Sequence, residues 1–346
     1  MLVATAPRLR DVVCTLGPAC ESPEVLAAMA AAGMTVARLN VSHRDHASHR
    51  GMHARIQQLN ATRELPVRCM LDTKGADIRC GEVSAPVVVQ VGDSLILDCQ
   101  TPQDYSQTGL LYVDYQGLVY DVALGTEILL DEGKIALRVE AINGARLQTV
   151  VVRGGRLSTK RHVHVPGVLL SLPSVTEQDW DDIAFGVELG CELYALSFVQ
   201  SAEDIIAVRE FLAGQGSDAQ IIAKIETSSA VEGIEDILRV ADGIMVARGD
   251  LRIAVGMAAL PRVQWQLVAA ARAAGKYCIV ATEMLQSMVT EAVPTRAEAT
   301  DVALAVWQGA DAVMLSAESA VGQHPVLAVE ALSALVEENA GWSLSL

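Results

Sequence analysis

Eight short runs rich in Val, Ile, Leu and Ala punctuate the chain, and most are followed by a longer stretch with helical spacing of its apolar positions. They lie at 12–18, 35–42, 67–75, 193–200, 221–227, 243–250, 277–284 and 311–319. Such near-continuous apolar runs are what parallel strands buried on both faces require. The intervening segments open with plausible caps. Ser22-Pro23-Glu24 places Pro at the first helical position. Thr176 is followed three residues later by Asp179, an acid where a full capping box has Glu or Gln. Eight alternating strand–helix units predict an α/β fold, a closed parallel (β/α)8 or TIM barrel, in preference to an open sheet.

The alternation breaks once. From Gly81 to about Lys160 there is no helical period, only alternating strands separated by Gly and by the Asn143-Gly144 turn signal. The expected organisation is a barrel built from 1–78 and 162–346, with 79–161 inserted after the third strand as an all-β, barrel-like lid domain. Such an insertion falls at the C-terminal mouth of a barrel, the end where active sites form.

Composition narrows the function. Of 346 residues, 51% are hydrophobic but only 4% aromatic, so Ala, Val and Leu build the core. The net charge of −16, from 26 basic and 42 acidic residues, and the lack of a basic run argue against nucleic acid as a partner. An anionic substrate stays open, because a metal and a few local cations can dominate a pocket. The seven cysteines, Cys14, Cys20, Cys69, Cys80, Cys99, Cys191 and Cys278, show no CxxC pair and read as small buried hydrophobes in a reducing compartment. No run reaches the length of a membrane span, and the N-terminus lacks a signal-peptide pattern, so the expected location is cytoplasmic, with no membrane partner.

Residues two apart on a strand face the same side. Arg38, Asn40 and Ser42 therefore share a face of the second run, and Lys224 and Glu226 a face of the fifth. The third run ends in Asp72-Thr73, the sixth in Arg248-Gly249-Asp250, and the seventh carries Thr282 at a similar height. Any one of these alone could be a structural ion pair. A Lys, an Arg, two Asp and a Glu together at strand ends are hard to explain that way, because charge inside a barrel is costly unless paired or metal-bound. Glu226 and Asp250 are hard oxygen donors suited to Mg²⁺ or Mn²⁺. Gly249 lets backbone N–H groups approach a substrate carboxylate, and the segment after Asp250 could aim a helix N-terminus at that anion.

The stretches VVCTLGPAC, GMTVARLNVSHRDH, LDTKGADIR, TKRHVHVPG, IIAKIET, MVARGDL, VATEMLQSM, PTRAEATDVA and DAVMLSAESAVGQHPVLAV, in this order, resemble pyruvate kinase, as does VDYQGLVYDVALGTEILLDEG within the insert. The resemblance covers barrel and lid and implies that the family's C-terminal domain, the usual seat of a sugar-phosphate effector, is lacking. It also implies transfer of the phosphoryl group of phosphoenolpyruvate to ADP, giving pyruvate and ATP through an enolate held by a divalent metal. On this resemblance Glu226 and Asp250 match the Mg²⁺/Mn²⁺ ligands, Lys224 the catalytic lysine, and Thr282 the threonine near the carbon that is protonated. Arg38 matches the phosphate-gripping arginine, with Gly249, Asp250 and Thr282 at the substrate. Asn40, Ser42, Asp72 and Thr73 match the K⁺ site, with Thr73 offering its carbonyl. His43, Arg79 and Lys160 match residues near the nucleotide phosphates. A homodimer through the barrel is the expected assembly.

The chain departs from the family pattern around these residues. Arg44 and Arg252 stand where the family usually has Gly, the latter placing a long cation on the loop that should cradle the substrate carboxylate. Ala76 and Asp77 replace Pro and Glu at the lid hinge, His164 replaces Asn, Gln200 stands where Arg is frequent, and Glu283 replaces Gln beside Thr282. The alternative reading is a divergent paralogue using a 2-oxo acid or enol phosphate with another acceptor, or in aldolase-type enolate chemistry. A further reading is a partner protein that has lost turnover.

Overall fold

The computed structural model describes residues 2–4, 10–85, 87–168 and 170–344. Residues 5–9, part of the N-terminal stretch read above for a signal, lie outside them. The chain divides into two compact units.

The first unit comprises Met1–Gly75, Ser174–Gly249 and Leu260–Leu346. Its eight barrel strands, counted along the chain, are Asp11–Thr15, Val36–Asn40, Arg68–Asp72, Leu193–Leu196, Gln220–Ile225, Gly243–Ala247, Tyr277–Ala281 and Ala312–Leu315. All pair in parallel with their neighbours and close into a barrel, the third strand meeting the fourth at Met70↔Leu193 and Asp72↔Ala195. The expected (β/α)8 architecture is present. Each strand is shorter than its apolar run, because the last residues of the runs leave the ladder. The sixth strand stops at Ala247, and the helix Arg248–Val255 begins at once, so Asp250 sits in the first turn of a helix rather than ahead of one.

Parity explains the core. Val13, Val36, Met70, Ala195, Ile222, Met245, Ile279 and Ala312, one from each strand, pack with four further residues into a single apolar cluster. Side chains alternate across a strand, so the residue two positions on from each must return to the same face.

Helix starts follow the cap signals. Ser22 accepts the Val25 N–H ahead of Pro23–Ala31. Before Glu177–Leu189, Thr176 and Asp179 cap each other reciprocally, so the shorter acid does close the box. Asp179 can do so because it is buried and pinned, with its second oxygen accepting the Gly75 N–H at 2.9 Å. No helix among the described residues is long and apolar enough to cross a membrane.

The second unit comprises Ala76–Pro173 and Asp250–Ala259. Its main sheet runs, edge to edge, Val163–His164, Glu127–Leu130, Ile135–Asn143, Arg146–Arg153, Ser94–Asp98 and Leu110–Tyr112. The hairpin marked by Asn143-Gly144 is tight, but Asn143 still pairs with Arg146, so its two turn residues are Gly144 and Ala145, with Gly144 at φ +59°. Leu97, Leu111, Ile128, Leu137 and Leu147 form its core. The region read as free of helix contains two single turns, Tyr105–Thr108 and Leu118–Asp121, too short to carry a detectable 3.6-residue period. The expected insert 79–161 lies inside this unit, which also takes in 76–78, 162–173 and 250–259.

Candidate active site

The apolar tier of the barrel is capped by a polar one. Thr15, Arg38, Asp72, Ser197 and Lys224 stand two residues after Val13, Val36, Met70, Ala195 and Ile222, so the strand period delivers all five to the same interior. Asp72 is fully buried and joins two cations. Its Oδ2 accepts from Arg38 Nε at 2.5 Å, and its Oδ1 from Lys224 Nζ at 3.1 Å. Arg38 also donates to Thr15 Oγ1 at 2.8 Å. Lys224 donates to Ser197 Oγ at 2.5 Å and lies 3.2 Å from Glu226 Oε1. Burial acts to raise the Asp72 pKa, but Arg38 and Lys224 overcome it and hold the carboxyl below its ordinary value. The network therefore sets one shared carboxylate between an ammonium and a guanidinium in a nearly dry interior.

Glu226 is 4% exposed, and its Oε2 accepts the Phe198 N–H at 2.7 Å. Phe198 reaches it from a left-handed backbone, φ +51°. Beside this cluster, strand register sets Asn40 opposite Asp72. Asn40 Oδ1 accepts the Ser42 N–H at 3.2 Å, and the Thr73 carbonyl accepts from Ser197 Oγ at 2.6 Å. Asn40 and Asp72 end adjoining strands, with Thr73 and Ser42 just beyond them, and all four carry the oxygen atoms that a hard monovalent cation takes.

Thr282 follows the seventh strand at φ +69°, an outlier for a β-branched residue. Such strain persists only when the surroundings over-determine it. Here Arg248, 8% exposed, donates from Nη2 to the Thr282 carbonyl at 2.6 Å and is anchored by Asp301 at 2.6 Å. The Gly249 N–H donates to Thr282 Oγ1 at 2.8 Å. A Cβ on Gly249 would meet nothing closer than Thr282, at 3.8 Å, so no protein atom requires glycine there. The N–H that the sequence reading left for a substrate is engaged by Thr282.

His43 is exposed in the first unit, and its carbonyl lies 2.8 Å from His49 Nε2. Arg79 and Lys160 belong to the second unit and line a recess of about 540 Å³ with Asp104, Gln107, Tyr112 and Asp114. Arg79 is held there by Asp77 at 2.6 Å and donates to the Lys160 carbonyl at 3.1 Å. Asp250 also falls in the second unit, whereas Glu226 is in the first, so the pairing expected from the sequence belongs to neither unit alone. Arg252 is in ion pair with Glu132 at 2.9 Å, so its charge is met within the second unit. Arg44 pairs with Glu21.

Three residues have partners here that sequence reasoning did not assign. Ser197 bridges Lys224, Asp72 and Thr73, and its signal was a lone Ser closing the apolar run LYALS. Arg248 was visible at the end of the sixth run, but nothing in sequence said that it clamps Thr282. Glu318, with no exposure at all, accepts the N–H groups of Leu285 and Ser316 at 3.1 and 2.8 Å.

A family profile described as the pyruvate kinase barrel domain matches residues 8–329. The pyruvate kinase of Geobacillus stearothermophilus is 43% identical over 94% of this chain and 56% of its own length. Plastidial pyruvate kinase 2 of Arabidopsis thaliana is 39% identical over 94% of this chain and 56% of its own. The pyruvate kinase of Mycobacterium intracellulare is 40% identical over 95% and 70%. The chain therefore spans little more than half the length of the first two relatives.

Proposed function

Because the chain belongs to the pyruvate kinase family, we propose that it transfers the phosphoryl group of phosphoenolpyruvate to ADP, giving pyruvate and ATP. The observation that carries this reading is the buried Arg38–Asp72–Lys224 network at the strand ends. Phosphoryl transfer needs positioning and charge neutralisation more than a nucleophilic side chain. A guanidinium and an ammonium positioned by one shared carboxylate supply both without reorganising.

In this reading Arg38 grips the phosphate, and Lys224 stabilises charge as the phosphoryl group moves to the terminal phosphate oxygen of ADP. The bond to the enol oxygen breaks, its electron pair stays on that oxygen, and the resulting enolate takes a proton from solvent at its methylene carbon near Thr282. Arg248 and Gly249 keep Thr282 oriented for that step, and Asp250 joins them at the substrate. His43, Arg79 and Lys160 are assigned to the nucleotide phosphates.

Glu226 and Asp250 are the carboxylates assigned to Mg²⁺ or Mn²⁺, and Asn40, Ser42, Asp72 and Thr73 to K⁺. Oxygen-only donors fit both hard cations. Bound there, these ions would neutralise charge on phosphoryl and enolate oxygens. A reducing, cytoplasmic setting suits the seven buried thiols, and Trp265 and Leu327, exposed on barrel helices, offer apolar surface to a homodimer. Light scattering tests the assembly.

The test of the reaction is a coupled pyruvate assay with phosphoenolpyruvate, ADP, Mg²⁺ and K⁺. The expected result is turnover that Lys224→Met abolishes while the fold is retained. Absence of transfer, with metal-dependent exchange of the pyruvate methyl protons, would instead point to enolate chemistry on a 2-oxo acid.

A further inference from the structure

Two imidazoles and a carboxylate converge in the second unit, away from any role assigned to the imidazoles so far. His162 and His164 flank Val163, whose side chain goes into the core, so strand parity sends both rings to the opposite face. The rings lie nearly parallel, 8° apart in plane with centroids separated by 5.8 Å. Asp250, in the first turn of Arg248–Val255, completes the group, and one ligand atom from each residue lies within 4.8 Å of the others.

The surroundings point to a ligand. His164 Nε2 is buried yet has no hydrogen-bond partner among the described residues, an expensive state for an imidazole nitrogen that a metal would relieve. His162 Nδ1 sits 2.9 Å from Asp77 Oδ1, which leaves its Nε2 as the remaining donor atom. Asp77 is itself fixed by Arg79 at 2.6 Å. A carboxylate supporting the far nitrogen of a histidine is the usual outer partner of a metal-bound imidazole, setting its tautomer and raising its basicity.

We propose that His162, His164 and Asp250 form a transition-metal site that takes Zn²⁺ or Co²⁺ and leaves at least one coordination position open. Imidazole-rich donor sets favour these ions over Mg²⁺, which prefers oxygen. Bonds of about 2.0–2.2 Å to nitrogen and oxygen need ligand atoms grouped around one point, and the three lie within 4.8 Å of one another. One consequence rests on the proposed reaction: Asp250 is also assigned to the activating Mg²⁺, so Zn²⁺ would compete for it and inhibit turnover.

The experiment titrates the metal-free 346-residue chain with zinc chloride by calorimetry in excess Mg²⁺, and records the Co²⁺ visible spectrum. The parent should bind one Zn²⁺ per chain and show intense tetrahedral Co²⁺ bands. His164→Asn, which installs the family's residue, and His162→Gln should each weaken Zn²⁺ at least 100-fold and abolish the bands. Asp77→Asn, acting only through His162, should weaken binding about 10- to 100-fold. Zinc should also raise the melting temperature of the parent and leave that of His164→Asn unmoved, a readout that holds even if one variant is marginally stable. Equal zinc affinity in the parent and both histidine variants would overturn the site. Zinc binding of the expected pattern without any phosphotransfer would leave the site standing and sink only the reaction.

Discussion

Asp72→Asn isolates the contribution of one buried charge, because the amide keeps the shape and loses the anion. In the parent, Asp72 has no solvent exposure and faces Arg38 at 2.5 Å and Lys224 at 3.1 Å, whose side chains are 9% and 10% accessible. The variant leaves two buried cations without the anion they share, the situation that costs about 3–5 kcal/mol when one partner of a buried pair is removed. At roughly 2 °C per kcal/mol for a chain of this size, the melting midpoint should fall by about 6–10 °C. The pH dependence has a definite sign. The folded Asp72 pKa is lowered, so its stabilisation is present above the unfolded value of about 3.9 and is lost as pH falls through the folded one. Parent and variant should therefore differ most near neutral pH and converge in acid. Adding Lys224→Met to Asp72→Asn should cost less than the sum of the single changes, with a coupling of about 0.5–3 kcal/mol. A midpoint within about 1 °C of the parent at pH 7 would refute the claim that Asp72 holds the two cations in place.

Other consequences are open to measurement. Arg248→Ala removes the clamp on the Thr282 carbonyl and strands Asp301; a fall in kcat of at least tenfold with a smaller change in KM is expected in the phosphotransfer assay, and an unchanged kcat would exclude a positioning role. In the second unit, burial works to raise the Asp98 pKa but the N–H groups of Thr101 and Gln100, with Arg146, hold it below the ordinary value. Asp98→Asn should thus lower urea resistance by about 1–3 kcal/mol at pH 7, with the difference shrinking below the ordinary carboxylate range, since this stabilisation too is lost in acid. All seven cysteines are buried, with the Cys99 thiol pushed up to about 12 by burial and the nearby Asp98 charge. None should react with a thiol reagent in the native state at pH 7.5, and all seven should after denaturation; rapid native labelling would contradict the buried placement.

The barrel was legible in the chain because a parallel strand buried on both faces must be a continuous apolar run, and eight such runs alternate with helical spacing. The same period of two puts Arg38 and Asn40 on one face and Lys224 and Glu226 on another from the sequence alone, and local cap chemistry marks Ser22 and Thr176. What sequence could not supply were distances across strands far apart in the chain. Asp72 meets Lys224 across 152 residues, and Ser197 stands between them only because closure brings the third and fourth strands side by side. Arg248 reads as another polar residue ending a strand until the fold sets it under the left-handed Thr282. His162 and His164 face the same way by parity alone, but their meeting with Asp250 was decided by chain packing, since coordination geometry depends on where backbones cross and no local pattern encodes that crossing.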